Sequence, residues 1–491
     1  MEELNVGKGK KEKSIVKNMF FNVLYRVVNM LFPLLTAIYI SHVLKATGVG
    51  KVSIAQNIVQ YFVLIAPLGI SNYGTREIAK IRNKKEETEK LFTELCLINF
   101  CSTFCCVIAY YILIFTQECF EEERLLYIVS GFPIVFNFIN VEWYYQGNED
   151  YVYISIRSII VKILSLVAMV SFVKTTDDYV IYSLIYTLGI AGNYIFNIAN
   201  IVKRGIRLKF QNLIYFRHIR PILILLCSNI AIELYTLLDT TMLGYFCTDE
   251  IVGYYTNSIK LVRIIVSLIA AIAGVLLPRL SYYKENGQIQ ECSELINKVC
   301  MVMLFLAVPS GFAVIVLAPQ LVAFVFGESF VPAVLTVRIA SILIYVLGFS
   351  SFFGNQVLLT FEGEKKLLIC TSFGAVSNII MNAFLIPHYQ HNGAVVASVI
   401  SESIVTFLTI LFAKKYIKIS LSVVYIFQVI FAGIVMVGAI CCIKILIKND
   451  LLILAGSLFC GATIYFLIGF LLKNPILLDA KKYIVKNMLS V

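Results

Sequence analysis

The stretch NMFFNVLYRVVNMLFPLLTAIYIS, residues 18–41, decides the fold class because it is long enough to cross a bilayer and carries a cation near its middle. If a span begins at residue 18, Arg26 lies roughly 12 Å along it, at about 1.5 Å per residue. A cation at that depth costs roughly 2.5–3.5 kcal/mol, so we expect Arg26 to face protein or a wet cavity. A buried ion pair and a polar translocation pathway both satisfy this expectation. The helical face around it reads Asn18, Asn22, Arg26, Asn29, Pro33 and Thr36.

Composition extends the membrane assignment to the whole chain. Of its residues, 59% are hydrophobic and 14% are charged, and the mean hydropathy is +0.85, values outside the range of soluble domains. We therefore predict an all-α integral membrane protein with about fourteen transmembrane helices. The predicted spans are 18–41, 48–72, 91–116, 125–145, 153–173, 179–202, 221–246, 251–278, 298–326, 333–360, 367–387, 392–413, 421–446 and 451–472.

The basic residues predict the orientation. Lysine and arginine collect in the tail 1–17 and in the connections 73–90 and 203–220, whereas 117–124 and 174–178 carry acids. The positive-inside rule then places both termini in the cytoplasm. The net charge of +11 mostly reflects the lysines and arginines that set the orientation in the membrane, so we predict no nucleic-acid partner. We expect the basic tail to contact anionic lipids.

An internal repeat predicts the domain organisation. VGKVSIAQN at 49–57 parallels VGYYTNSIK at 252–260, which is 203 residues later. Two six-helix lobes with the same entry orientation are an architecture of secondary transporters, whose sites lie between lobes near the membrane midplane. The predicted division is a tail 1–17, an N-lobe 18–202 (helices 1–6), a basic linker 203–220, a C-lobe 221–413 (helices 7–12), helices 13–14 at 421–472 and a cytoplasmic tail 473–491.

Catalytic chemistry is not predicted. Each connection between spans is shorter than roughly 20 residues, which is too short for a soluble catalytic domain, and no GxxxxGK[ST] phosphate loop is present. The 13 cysteines include no CxxC pair, and His388 and His391 lack nearby cysteine or acidic partners. We therefore predict no catalytic residues, no metal site and no cofactor.

The second lobe has its own polar faces. Lys260 and Arg263 share one face of predicted helix 8, and helix 7 offers Glu233 and Asp239. One interpretation is a salt bridge between a carboxylate of helix 7 and a cation of helix 8. The other is that the cation exchanges this carboxylate for an anionic substrate during transport, and the two interpretations can both hold. Glu142 is a further intramembrane acid that we expect to take part in charge pairing or ion coupling.

Several stretches, in order and spacing, resemble those of the bacterial oligosaccharide repeat-unit flippases of the Wzx type. These flippases belong to the polysaccharide-export branch of the multidrug/oligosaccharidyl-lipid/polysaccharide exporter superfamily. The likeness covers about residues 15 to 415. The stretches are PLLT at 33–36, YGTREIA at 73–79, EWYYQG at 142–147, DTTMLG at 239–244, VGYY at 252–255, NQVL at 355–358 and GAVVA at 393–397.

The resemblance implies translocation of undecaprenyl-pyrophosphate-linked oligosaccharide repeat units across the bacterial cytoplasmic membrane, for capsule or O-antigen assembly, by alternating access. It also implies a cationic central cavity, onto which Arg26, Lys260 and Arg263 map. A hydrated diphosphate-sugar headgroup needs such cations together with amide hydrogen bonds. Polysaccharide polymerase and glycosyltransferases would be pathway partners. The expected amide contacts to sugar hydroxyls are Asn22, Asn29, Asn57 and Gln60.

Three alternatives stay open at this point. A multidrug or cation antiporter of the same superfamily would favour an acidic cavity, and a lipid II flippase would use chemistry similar to that of the repeat-unit flippases. An integral-membrane glycosyltransferase or polymerase would need a long outside loop with catalytic residues, which the sequence does not show.

Overall fold

A computed structural model describes residues 15–274 and 277–488. Every regular element in this described part is helical, and it contains no strand, so the prediction of an all-α chain is confirmed. The side chain of Arg26 lies outside the described set. The other positions within these ranges whose side chains are outside it are 15–20, 23, 228–229, 231–232, 234–235, 272–274, 277–278, 480 and 483–488.

The helices follow one another with short connections. The first nine are α1 (Ile15–Ile65), α2 (Ile70–Ile81), α3 (Lys85–Thr116), α4 (Arg124–Ser130), α5 (Phe132–Val135), α6 (Glu142–Gly147), α7 (Tyr151–Phe172), α8 (Tyr179–Lys203) and α9 (Phe216–Phe246). The others are α10 (Asp249–Gly274), α11 (Leu277–Glu285), α12 (Ile289–Phe326), α13 (Val334–Ala340), α14 (Leu343–Ser351), α15 (Glu364–Ala413), α16 (Val423–Leu446), α17 (Asp450–Leu471) and α18 (Pro475–Met488).

Many of these helices have the length and composition of membrane spans. Within the described residues, eight helices qualify: α1, α3, α7, α8, α12, α15, α16 and α17. Glu328–Ala340 with Leu343–Leu358 adds one more if this pair, bent by 49°, forms a single span. Large apolar side chains such as Phe104, Phe172 and Phe384 are exposed on the helix surfaces, as expected where lipid is the solvent. The chain is therefore a multi-pass membrane protein.

Two of the longest helices each contain a break. Lys45 in α1 has φ 59° and Gln390 in α15 has φ 51°, a conformation that interrupts a right-handed helix. Each break falls between two predicted spans, because 18–41 and 48–72 flank Lys45 whereas 367–387 and 392–413 flank Gln390. The total of fourteen spans and the location of the termini remain predictions.

The chain divides into two compact units. Unit 1 comprises residues up to Leu44 together with Lys51–Leu237, and unit 2 comprises Lys45–Gly50 together with residues from Leu238 onwards. In unit 1 a buried aromatic cluster around Trp143, Tyr144 and Tyr145 packs α2 against α6. In unit 2 the helices α16 and α17 pack against α12.

Within unit 2, the segment Lys45–Gly50 packs very closely against the start of α10. A Cβ atom added at Gly50 would lie 1.7 Å from the carbonyl oxygen of Asp249, and one added at Gly253 would lie 2.2 Å from that of Ala46. The two contacts are reciprocal, because 249 − 46 and 253 − 50 both equal 203, the spacing of the sequence repeat. Only glycine permits such an approach of two backbones.

The segment 203–220, which the sequence predicted as a linker, lies within unit 1 and is fastened to α3. Arg217 Nη2 and His218 Nε2 lie 2.7 Å and 2.8 Å from one carboxylate oxygen of Glu94, which is fully buried near the start of α3. The hydroxyl of Tyr73 lies 2.7 Å from His218 Nδ1. Part of the positive charge of this linker is therefore neutralised by protein rather than by lipid headgroups.

Two cations of unit 2 bind helix carbonyls near a proline. Pro319 removes an amide donor from α12, which leaves the carbonyl of Ile315 without its helical partner. Arg338 Nε donates to that oxygen at 3.2 Å, and Lys444 Nζ donates to the carbonyl of Val316 at 2.9 Å. These two cations donate hydrogen bonds to backbone carbonyl groups. Without a donor, such groups would be unfavourable in apolar surroundings.

Candidate functional site

The polar face of α1 meets a lysine of α7 in unit 1. Lys162 Nζ donates a hydrogen bond to the side-chain oxygen of Asn29 and lies 3.3 Å from the carbonyl oxygen of Val28. Asn22 is half-buried on the same helix. The side chain of Arg26, the residue predicted to bind the anionic headgroup, lies outside the described residues. Its role stays a prediction.

Glu142 forms the centre of a partly buried network in unit 1. Its carboxylate lies 3.0 Å from Arg157 Nη2 and accepts a hydrogen bond of 2.5 Å from the hydroxyl of Tyr25. Arg157, whose side chain is 5% exposed, also donates to the side-chain oxygen of Asn197 and, at 3.3 Å, to the carbonyl oxygen of Asn193. Glu142 is thus an ion-paired carboxylate, and together with Arg157 it joins α1, α6, α7 and α8.

A cavity of about 250 Å³ in unit 1 brings together two residues that sequence analysis selected for different roles. Gln60, an expected sugar contact, and Glu233, an expected charge-pairing acid, both line it, together with Ser71. Among the described residues, no hydrogen bond or ion pair engages the side chain of any of these three. The other described residues that line it are Val63, Leu64, Pro67, Leu68 and Gly69.

Asn57 and Gln56 precede this cavity on α1. Asn57 is 7% exposed, and its packing inside unit 1 places it among buried polar residues. In the described structure the side-chain nitrogen of Gln56 is buried and has no hydrogen-bond partner. Because Gln56 and Gln60 are one helical turn apart, amide groups continue along the face of α1 that reaches the cavity.

The cations of unit 2 lie on α10. Lys260 is half-buried and Arg263 is exposed. Within the described part of unit 2, no carboxylate forms a salt bridge with either cation. The predicted bridge from Asp239 is therefore not what compensates Lys260 and Arg263 here.

Asp239 is instead held by neutral groups. One carboxylate oxygen accepts a hydrogen bond of 2.6 Å from the side-chain nitrogen of Asn382. The other accepts hydrogen bonds of 2.5 Å from the hydroxyl of Tyr255 and 2.6 Å from that of Ser398. Asp239 is 5% exposed, so a carboxylate is buried in unit 2 among neutral donors. The side-chain oxygen of Asn382 is buried and, in the described structure, without a partner.

The residues that complete these networks were not predicted from the sequence. Glu142 and Asp239 stand out because acids are rare in apolar helices, whereas their neutral partners Tyr25, Tyr255 and Ser398 do not. Tyrosine and serine are common in such helices, so the sequence alone does not distinguish these three residues from others of their type. Asn378 and Asn382, spaced four apart on α15, were a usable signal because two amides then share a helical face.

A sequence profile of the family described as polysaccharide biosynthesis protein matches residues 15–284, more than half of the 491 residues. The chain belongs to this family. The resemblance drawn from the sequence motifs is thereby confirmed. A relative in Escherichia coli (strain K12), provisionally named an O-antigen transporter, is 22% identical over 414 residues, which cover 82% of this chain and 97% of that protein.

Solved structures show the same fold for this family member. The lipid II flippase MurJ in an inward closed conformation superposes with a TM-score of 0.77 at 14% identity, covering 93% of this chain and 100% of that chain. An inward-facing multidrug resistance MATE family transporter of the MOP superfamily gives a TM-score of 0.63 at 13% identity, covering 81% of this chain and 97% of that chain. At these identities the likeness concerns the fold, which is that of MurJ and MATE transporters.

Proposed function

We propose that the protein is a flippase that carries undecaprenyl-pyrophosphate-linked oligosaccharide repeat units from the cytoplasmic to the outer leaflet of a bacterial cytoplasmic membrane. It would act by alternating access, as a transporter and not as an enzyme, in capsule or O-antigen assembly. Family membership supports the polysaccharide pathway. The observation that carries the substrate class is the pair of cations on α10, Lys260 and Arg263, which no carboxylate in the described part of unit 2 neutralises.

The headgroup chemistry fits these residues. A diphosphate is anionic, and a guanidinium contacts it through two parallel hydrogen bonds whereas an ammonium acts as a point charge. We assign this contact to Arg26, Lys260 and Arg263. Lys260 and Arg263, which pair with no carboxylate in the described part of unit 2, favour an anionic ligand, because an uncompensated charge in apolar surroundings is expensive.

Polar neutral residues would contact the sugars. We assign Asn22, Asn29, Asn57 and Gln60 to hydroxyl groups of the oligosaccharide, since an amide both donates and accepts hydrogen bonds. The prenyl chain would remain in the lipid. Polymerase and glycosyltransferases of the same pathway are proposed partners, because they would consume and supply this substrate.

Asp239 and Glu142 are proposed to pair charges or couple an ion. Asp239 is the better coupling candidate, because its carboxylate is surrounded by Tyr255, Ser398 and Asn382 rather than by a cation. A bound cation or proton would compensate this charge. Glu142 is compensated by Arg157, which favours a pairing role.

A reconstitution experiment tests the proposal. Purified protein in proteoliposomes with undecaprenyl-pyrophosphate-linked oligosaccharide should move the sugar to the opposite leaflet, and Arg26→Gln, Lys260→Gln and Arg263→Gln should each slow the initial rate by at least about tenfold. Lys414→Gln, which removes an exposed cation, is the matched control and should leave the rate unchanged. Wild-type rates in all three variants would show that these cations do not bind the substrate.

A cation antiporter is the second candidate, and the buried carboxylate of Asp239 is the observation that favours it. The same proteoliposomes distinguish the two functions. Uptake of a hydrophobic cation driven by a sodium or proton gradient, without movement of any lipid-linked sugar, would establish the antiporter. Movement of lipid II at the rate of the other lipid-linked oligosaccharides would widen the substrate class to cell-wall precursors.

A further inference from the structure

The cavity of unit 1 has a polar composition unlike that of an anion site. Among the described residues that line it, the polar side chains are the carboxylate of Glu233, the amide of Gln60 and the hydroxyl of Ser71, and none is a lysine or an arginine. The carboxylate only accepts hydrogen bonds, whereas the amide and the hydroxyl can both donate and accept. A ligand that offers several hydroxyl or amino donors matches this set, and a second carboxylate would be repelled by Glu233.

The size of the cavity limits the ligand. Pockets that hold drug-sized molecules span roughly 300–1,000 Å³, whereas this cavity measures about 250 Å³. It therefore accommodates a small group, such as one sugar ring, rather than a whole oligosaccharide. Val63, Leu64 and Pro67 provide apolar surface for the C–H face of such a ring.

The wall of the cavity is fixed by close backbone packing. Leu68 has φ 52°, which ends the long helix α1 with a tight turn. A Cβ atom added at Gly69 would lie 2.5 Å from the carbonyl oxygen of Ile222 and 2.8 Å from Cβ of Leu225. The turn is thereby held against α9, the helix that carries Glu233. The backbone that carries the polar groups is therefore fixed before a ligand binds.

We propose that this cavity binds a single sugar ring of the lipid-linked oligosaccharide, that the ring is neutral or amino-substituted, and that Glu233 excludes a uronic acid from this position. The inference rests on the proposed function and adds a specificity determinant to it. The diphosphate binds elsewhere, on the cations, because the carboxylate of Glu233 disfavours an anion here. Gln60 and Ser71 contact hydroxyl groups of the same ring.

Matched substrates test the specificity. Full-length protein in proteoliposomes is given synthetic polyprenyl-diphosphate trisaccharides in which each position in turn is glucose, glucosamine or glucuronic acid. The wild-type protein should flip glucose and glucosamine about tenfold faster than glucuronic acid at one position. Glu233→Gln should reduce that ratio to about one, and Glu233→Asp, which keeps the charge, should preserve it. Glu122→Gln removes an exposed acid outside the cavity and should leave the ratio unchanged.

The outcomes separate the two claims. If the wild-type protein flips none of these lipids, the proposed function itself fails. If it flips them all at equal rates at every position, or if Glu233→Gln keeps the wild-type ratio, the protein is still a flippase but the cavity does not select the sugar. A similar loss of selectivity in Glu122→Gln would assign the effect to overall charge and would also overturn the inference.

Discussion

Arg157 and Lys260 show two ways in which an apolar helix accommodates a cation. Arg157 is compensated within unit 1 by Glu142 and by the side chain of Asn197. Lys260 has no carboxylate within salt-bridge distance in the described part of unit 2. A cation that is paired with a carboxylate stabilises the packing of the helices. A cation that has no carboxylate partner in its own unit is available to bind an anionic substrate. This difference is the reason why we assign substrate binding to Lys260 and not to Arg157.

Removing the buried arginine of the Glu142–Arg157 pair should destabilise the protein. Arg157→Gln leaves the carboxylate of Glu142, whose side chain is 19% exposed, without its cation. Because water still reaches this carboxylate, we expect a cost below the about 3–5 kcal/mol that applies to fully buried pairs. We expect a clear loss of thermal stability of the purified protein in detergent, partly restored when Glu142→Gln is added. Glu77→Gln is the control, because its partners Arg76 and Lys80 are exposed and such pairs contribute at most about 1 kcal/mol. Equal melting temperatures for Arg157→Gln and Glu77→Gln would contradict a structural role for the pair.

At the residue scale, the sequence alone showed which charged residues lie in apolar helices, but not which residues they contact. Glu142, Glu233 and Asp239 are conspicuous because ionisable groups are rare in apolar helices. Their surroundings are not readable in the same way, since Tyr25 precedes Glu142 by 117 residues and Ser398 follows Asp239 by 159. Such long-range partners depend on helix packing, which one sequence does not encode as a periodic pattern.

At the scale of elements, apolar runs of membrane-crossing length predicted the helices. The backbone breaks at Lys45 and Gln390 fall between predicted spans. The attachment of the linker 203–220 to α3 was not predicted, because its basic residues were assigned to topology alone. Glu94 could not be recognised as their partner, because it precedes Arg217 by 123 residues.

The crossing of Lys45–Gly50 with the start of α10 should not tolerate a side chain. Gly253→Ala places a methyl group 2.2 Å from the carbonyl oxygen of Ala46, so the two backbones must separate, and overpacking of this kind costs about 1–3 kcal/mol. We expect a lower melting temperature in detergent. Gly438→Ala in α16 is the matched control, because nothing lies within 4 Å of its added Cβ and alanine favours a helix. Equal stability of the two variants would show that the crossing is looser than described.

At the scale of the whole molecule, charge and hydropathy predict a multi-pass membrane protein, and the helices and the family confirm it. The orientation rests on the distribution of lysine and arginine alone. Acids mark the predicted outside connections, where Asp178 accepts hydrogen bonds from the amides of Lys174 and Thr175 that lower its pKa. Orientation decides the direction of transport, so it must be measured independently of function.

Native cysteines make that measurement possible. Cys119 is exposed in the connection 117–124, which is predicted to be outside, and Cys247 is half-buried in the predicted outside connection between α9 and α10. A membrane-impermeant maleimide added to right-side-out vesicles should label Cys119 rapidly. Burial raises the pKa of the Cys247 thiol, so less thiolate is present at neutral pH, and its labelling should be slower and increase as the pH rises.

Two variants complete the labelling experiment. Cys119→Ser should remove the fast reaction, which identifies its source. Arg207→Cys, in the predicted cytoplasmic linker, should react in inverted vesicles and be protected in right-side-out ones. The opposite pattern, with Arg207→Cys labelled and Cys119 protected in right-side-out vesicles, would reverse the orientation. The cations of α10 would then face the other way along the transport path, and the proposed outward direction of flipping would be wrong.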